Sequence, residues 1–138
     1  MLCRALTVLS LLFAALPSRA AEKLNDAEIS KALVGKWNVK YVLKKVNVES
    51  TTEYKADGTF TVRALYRREG LEYAATIDGT WKVYNSELTE TCSKCAPSDF
   101  AAVGEKAIDT VLEINDTTFR YLSSSGIDRT KVRVSSGK

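Results

Sequence analysis

From Gly35 onward the chain alternates apolar and polar residues with a period of two, punctuated by short turn dipeptides. Successive side chains of an extended strand face opposite sides, so such a pattern folds as a sheet with one dry face and one wet one. Trp37, Val39, Tyr41 and Leu43 alternate with Lys36, Asn38, Lys40 and Lys44. Ser50, Thr52 and Tyr54 form the next inward set, and Asp57-Gly58 leads into Phe60, Val62, Ala64 and Tyr66. Glu69-Gly70 leads into Leu71, Tyr73, Ala75 and Ile77. Asp78-Gly79 is expected to turn into Trp81 and Val83, and Asn85-Ser86 into Leu88 to Cys92. Residues 93 to 105 show no clear period and are expected to form the longest loop. Strands then resume with inward sets Ile108, Thr110, Leu112 and Ile114, then Phe119 and Tyr121, then Val132 and Val134. Between Lys44 and Val48 the alternation breaks, which marks a bulge or an added turn.

These segments amount to eight or nine strands with short connections, which argues for an antiparallel meander without parallel crossovers. A sheet with one apolar face and two unpaired edges is most simply satisfied by closing on itself, so the expected fold class is all-β, an up-and-down β-barrel. Asp57-Gly58-Thr59-Phe60-Thr61-Val62 returns 21 residues later as Asp78-Gly79-Thr80-Trp81-Lys82-Val83. One such return is read as repeated hairpin chemistry, because Asp-Gly suits a type I′ turn and a solenoid needs three or more units.

One helix precedes the strands. Asn25 stands at the N-cap, Glu28 completes a capping box, and Leu24 with Ile29 occupy the places of a hydrophobic staple. Gly35 stops the helix, and Ile29 with Leu33 give it one apolar stripe, enough to lie on a larger body as a lid or plug.

The first twenty residues read as an address. Arg4 supplies the positive start, Ala5 to Leu16 is apolar apart from Thr7 and Ser10, and Ser18-Arg19-Ala20 places small residues where a signal peptidase reads, so cleavage is expected between Ala20 and Ala21. The apolar run is too short for a bilayer core that takes about twenty residues, so no membrane span is expected. Residues 21 to 138 form the one expected domain, periplasmic or secreted. Loss of Arg4 and Arg19 lowers the net charge of the 138-residue chain from +3 to +1, which removes most support for a nucleic-acid partner or a polybasic route to anionic lipid.

The chain has no histidine, so it contains no Ser-His-Asp triad, no Cys-His pair and no histidine-ligated metal or haem. Carboxylates are scattered on outward faces, with Glu90 the one acid that the alternation aims inward, and a lone acid does not make a glycosidase pair. No catalytic cluster, metal site or cofactor is expected. Two cysteines remain after cleavage, Cys92 and Cys95, in a Cys-x-x-Cys pair that follows a strand. A structural disulfide stiffening the long loop is the first reading in an oxidising compartment, with redox or metal chemistry and free thiols as alternatives. Arg67-Arg68 and Lys44-Lys45 are read chiefly as solvated turn charges, with anion contacts at a barrel mouth as the alternative. Asn115-Asp116-Thr117 fits a glycosylation acceptor by pattern, which matters only in a eukaryotic secretory pathway, and is read first as a hairpin turn.

Gly35-Lys36-Trp37, opening the first strand after a short capped helix, resembles the Gly-x-Trp signature of the lipocalins and the wider calycin superfamily. With Tyr54, Asp57-Gly58-Thr59-Phe60 and Gly79-Thr80-Trp81, the organisation of most of the chain is similar to that of small lipocalin-like proteins exported by bacteria. The resemblance implies that Trp37 packs at the closed end of the barrel with a basic residue of the last strand across it. Arg133 is that residue, with Arg129 or Lys131 as substitutes.

A barrel of about eight strands is either filled by side chains or holds one small ligand. Tyr41, Tyr54, Phe60, Tyr66, Tyr73, Trp81 and Tyr121 are the candidate ligand contacts, and small inward residues such as Ser50, Ala64 and Ala75 leave room between them. The function expected is that of an exported, non-enzymatic lipocalin-like protein that binds a small apolar or amphipathic molecule. The alternative is an interaction or inhibitor module with a filled core and an envelope protein as partner.

Overall fold

The computed structural model describes residues 23–135; the expected signal peptide and its cleavage site lie outside the described residues. One helix, α1 (Asp26–Leu33), is followed by eight strands: β1 (Gly35–Leu43), β2 (Val46–Tyr54), β3 (Thr59–Arg68), β4 (Leu71–Tyr84), β5 (Glu87–Ala96), β6 (Lys106–Ile114), β7 (Thr118–Leu122) and β8 (Asp128–Arg133). Each strand pairs antiparallel with the next, and β8 returns to β1 through Trp37 opposite Arg133, so the barrel is closed. The closing seam is short, Trp37 with Arg133 and Asn38 with Val132, and it joins the two strands that would otherwise be sheet edges.

Helix α1 forms because its first turn is satisfied in both directions. The Asn25 side chain accepts from the Glu28 amide at 3.0 Å and the Glu28 carboxylate accepts from the Asn25 amide at 2.9 Å. Ile29 and Leu33 are buried against the barrel end. Asp26 fastens the helix to the β4–β5 hairpin by accepting from the amides of Asn85 (2.7 Å) and Ser86 (2.9 Å). The helix therefore plugs the end that holds the β2–β3, β4–β5 and β6–β7 turns. The other end, with the β1–β2, β3–β4, β5–β6 and β7–β8 connections, is open.

Three expectations about strand boundaries are corrected. Asp78-Gly79 is not a turn: β4 runs straight through it, pairing Thr59 to Arg68 on one side. The repeat of Asp57-Gly58-Thr59-Phe60 thus lies side by side with its counterpart in the sheet, with Phe60 opposite Gly79. Glycine is required at 79 by close approach, since a Cβ there would overlap the Thr91 carbonyl and the Phe60 ring. Strand β5 extends to Ala96, which shortens the long loop to residues 97–105. The third correction is one of phase. In β6 and β8 the buried residues are Asp109, Val111, Ile114 and Lys131, whereas Ile108, Leu112 and Val132 face solvent. An irregularity between Val111 and Glu113 sets Leu112 aside from the pairing, so Val111 and Ile114 share the inner face although they are three positions apart. A period-two reading counted back from Ile114 crosses that bulge and inverts everything before it.

The break after Leu43 is a two-residue turn. Lys44 and Lys45 both take positive φ, and Leu43 pairs directly with Val46. Asn115 likewise makes a turn, its Oδ1 accepting from the amides of Thr117 and Thr118 at 2.9 Å.

Candidate functional site

The barrel has two unlike interiors. At the closed end Trp37, Leu33, Leu88 and Phe119 are fully buried. Trp37 meets Phe119 edge-on at 6.0 Å, and its Nε1 donates to the Leu33 carbonyl at 2.7 Å, a free acceptor at the end of α1. The Arg133 guanidinium lies 4.1 Å over the Trp37 ring and donates to the carbonyls of Ala32 (2.6 Å), Val34 (2.9 Å) and Asp116 (2.7 Å). Arg133 therefore caps the helix and covers the tryptophan. Gly35 is constrained by the same group: its φ of +132° disfavours a side chain, and a Cβ there would collide with Arg133.

Toward the open end the interior widens into a cup of about 290 Å³, lined by Val39, Val62, Ala64, Ala75 and Ile77 on one side and by polar groups on the other. The strand register puts Ala64 opposite Ala75, both buried, and these two small residues leave the space. Larger hollows lie on the outer surface. The one of about 680 Å³ among Lys36, Glu49, Thr51 and Arg63 holds no buried polar group that would orient a ligand.

The polar side of the cup carries four ionisable residues, Glu90 from β5, Asp109 from β6, and Arg129 and Lys131 from β8. Lys131 is buried; its Nζ donates to Tyr54 Oη at 3.0 Å and Thr52 Oγ1 at 3.4 Å. It also faces the rings of Tyr54 and Tyr121 at 5.3 and 5.2 Å. The Tyr54 hydroxyl in turn donates to the Glu90 carboxylate, so Lys131, Tyr54 and Glu90 form one chain across the cup floor. Burial, reinforced by the Glu90 charge, holds the Tyr54 phenol well above its usual pKa, so it stays a donor. Asp109 is 9% exposed, and burial, then the Glu90 charge, pushes its pKa up to about 6 against the opposing pull of Lys131, the Ser124 amide and Arg129. Burial pushes Tyr66 up to about 12, and burial with the Asp109 charge raises Tyr121 as well. The Arg129 guanidinium lies flat on Tyr41, 3.7 Å from the ring centroid. Phe100, from the 97–105 loop, leans across the mouth to within 5.3 Å of Tyr66.

Of the seven aromatic residues expected to contact a ligand, Tyr41, Tyr66 and Tyr121 line this cup. Tyr54 lies under its floor, and Phe60 and Trp81 pack in the closed-end core, where Tyr54 meets Trp81 edge-on at 5.6 Å. Trp81 is anchored by its Nε1, which donates to the carbonyls of Thr59 and Lys55. Tyr73 is 61% exposed, paired with Tyr66 at the rim and outside the cup lining. The acid at 109 escaped the sequence reading because it sits on the inverted side of the β6 bulge. Glu90 was legible from its alternation with Leu88.

The expected disulfide is absent: Cys92 and Cys95 are both free thiols. Both lie within β5, Cys92 opposite Gly79 and Cys95 opposite Ile77, with Ser93 set aside by the irregularity opposite Asp78 and Gly79. The extra residue returns the two thiols to the same face at successive inward positions. Such positions in an extended strand lie roughly 6.5 to 7 Å apart with parallel Cα–Cβ directions, which is unfavourable for an S–S bond. Among the described residues no group of three or more potential metal ligands is assembled. The charges at the open rim are largely paired with each other: Arg67 meets Glu72 at 2.7 Å and Glu49 at 3.6 Å, and Arg68 meets Glu69 at 3.9 Å. No helix among the described residues is long and apolar enough to cross a membrane.

Compared with known protein families and with curated proteins, the chain has no match.

Proposed function

We propose that the protein is an exported, lipocalin-like binding protein that holds one small amphipathic molecule in the barrel cup and performs no chemistry on it. The observation that carries this reading is the contrast inside the cup: a wall of Val39, Val62, Ala64, Ala75 and Ile77 facing Glu90, Asp109, Arg129 and Lys131 across about 290 Å³. An apolar wall favours an apolar body by removing its surface from water, and a few fixed polar groups set its orientation. A purely apolar molecule is the weaker candidate, because it would strip water from Asp109 and Arg129 without replacing their hydrogen bonds. The Gly35-Lys36-Trp37 signature and the place of Arg133 across Trp37 support the lipocalin-like assignment.

Export is supported by the Arg4, apolar-run and Ser18-Arg19-Ala20 pattern. A binding role needs no histidine and no metal, which suits a chain without histidine.

The test is native mass spectrometry of the protein purified without denaturation, beside an Ala75→Phe variant that fills the cup from its middle. A small molecule retained by the parent and lost from a variant that still melts cooperatively supports the reading. A molecule retained equally by both places the binding site elsewhere and overturns it.

A further inference from the structure

The four charges of the cup are not equivalent. Lys131 and Glu90 are joined through Tyr54, so their opposite charges offset one another along a hydrogen-bonded chain. Asp109 and Arg129 lack such a link. Among the described residues neither forms an ion pair, and the Arg129 guanidinium makes no hydrogen bond. Both line the cup, Asp109 from β6 and Arg129 from β8, with Tyr121 of β7 between their strands.

Each is held in place by something other than a counter-ion. Arg129 is placed by the Tyr41 ring, 3.7 Å from Cζ to the centroid, and its fork of donors has no hydrogen-bond partner among the described residues, so it is free to take a carboxylate with two parallel hydrogen bonds. Asp109 is more than nine-tenths buried and is held by the Ser124 amide, whose pull, with those of Lys131 and Arg129, does not offset the cost of burying its charge beside Glu90. The cup is therefore electrically dipolar, with an acidic pole on β5–β6 and a basic pole on β8, and Val62, Ala64, Ala75 and Ile77 line it from β3 and β4.

Resting on the binding reading above, we infer that the occupant is a compact zwitterion, with an ammonium directed to Asp109, a carboxylate or similar anion directed to Arg129, and an apolar side group against Val62, Ala64, Ala75 and Ile77. A simple anion would satisfy Arg129 and leave Asp109 facing like charge. A simple amine would satisfy Asp109 and leave Arg129 without an acceptor. Only a molecule bearing both groups completes the two poles at once.

The test uses four probes that share a phenyl body and differ in charge: L-phenylalanine, 3-phenylpropanoate, 2-phenylethylamine and 3-phenylpropan-1-ol, titrated into the full exported chain and followed by calorimetry. The zwitterion is expected to bind about tenfold or more tightly than any of the others, as one charge-assisted hydrogen bond beyond the best competitor supplies. Asp109→Asn should lower the affinity for phenylalanine to that for phenylpropanoate, and Arg129→Gln should lower it to that for phenylethylamine. Arg129→Lys keeps the charge but not the fork and should fall between. Equal or tighter binding of the anion, the amine or the alcohol overturns the inference while leaving a binding cup. Binding of none of the four to folded protein overturns both the inference and the function it rests on.

Discussion

The two ends of this barrel are built from the same residue types put to opposite uses. At the closed end an arginine, Arg133, has every described neighbour it needs: three carbonyls accept from it and an indole lies under it. Four residues earlier on the same strand, Arg129 also lies on an aromatic ring but has no described acceptor. The same contrast holds for aromatics. Trp37, Phe119 and Trp81 close ranks in a dry core, whereas Tyr41, Tyr66 and Tyr121 turn their rings to a hollow. A satisfied charge contributes stability, and an unsatisfied one in a cavity lowers stability while offering a ligand something to complete. The core that holds the fold and the cup proposed to bind a ligand are thus divided along the barrel axis.

Substitutions at the two ends should separate these roles. Trp37→Ala, which empties the closed-end core and orphans the Leu33 carbonyl, is expected to destabilise by about 3 to 5 kcal/mol in urea or thermal unfolding. A loss below about 1 kcal/mol would mean that the dry end does not carry the fold. Arg133→Met should cost about 2 to 3 kcal/mol, through the three carbonyls it leaves without a donor and the lost cation–π contact.

Asp109→Asn at the open end should act in the other direction. The folded protein raises this carboxyl from 3.8 to about 6, so the folded state binds the proton more tightly than the unfolded chain does. Stability therefore falls as pH rises from about 4 to about 6, and the full cost is present above that range. Replacing the acid removes the cost: the variant is expected to gain about 2 to 3 kcal/mol at pH 8 and to match the parent near pH 4. A variant less stable than the parent at pH 8 would show that Asp109 belongs with the satisfied charges and would erase the distinction between the two ends.

Smaller effects sharpen the picture of the plug. Asn25→Ala should cost about 1 kcal/mol, since it removes the acceptor for the Glu28 amide at the start of α1. A reductant should leave the melting temperature of the protein unchanged, because Cys92 and Cys95 are free thiols on one strand. A drop of several degrees would show a bridge that the strand had to break to accommodate.

Much of the closed end was legible in the sequence because its signals are local. The capping box needs only Asn25 and Glu28, the helix stripe only Ile29 and Leu33, and the phase of β1 only Trp37, Val39 and Tyr41. The open end was legible in part. Tyr41, Tyr66 and Tyr121 follow from alternation, but Asp109 does not, because the bulge at Leu112 shifts the phase of β6 and no residue type announces a bulge there. The Asp78-Gly79 dipeptide looks like a hairpin turn and is instead a flat crossing under Thr91, a choice made by the neighbouring strand. Cys92 and Cys95 read as a bridge from their spacing, and the extended strand between them sets that spacing to another use.

The period came from residue order alone: strands with one dry face, enough of them to close, and a capped helix to cover one end. Period and caps are set by residues within one turn or one strand, where sterics and local hydrogen bonds act without help. Which charges meet a partner and which are left facing a hollow was decided only by tertiary structure. It depends on the register of eight strands brought round to closure, and on two irregularities that rotate side chains from one face of the sheet to the other. Arg133 and Arg129 share a residue type and an inward direction, and their different surroundings come from where the closed barrel places each along its axis.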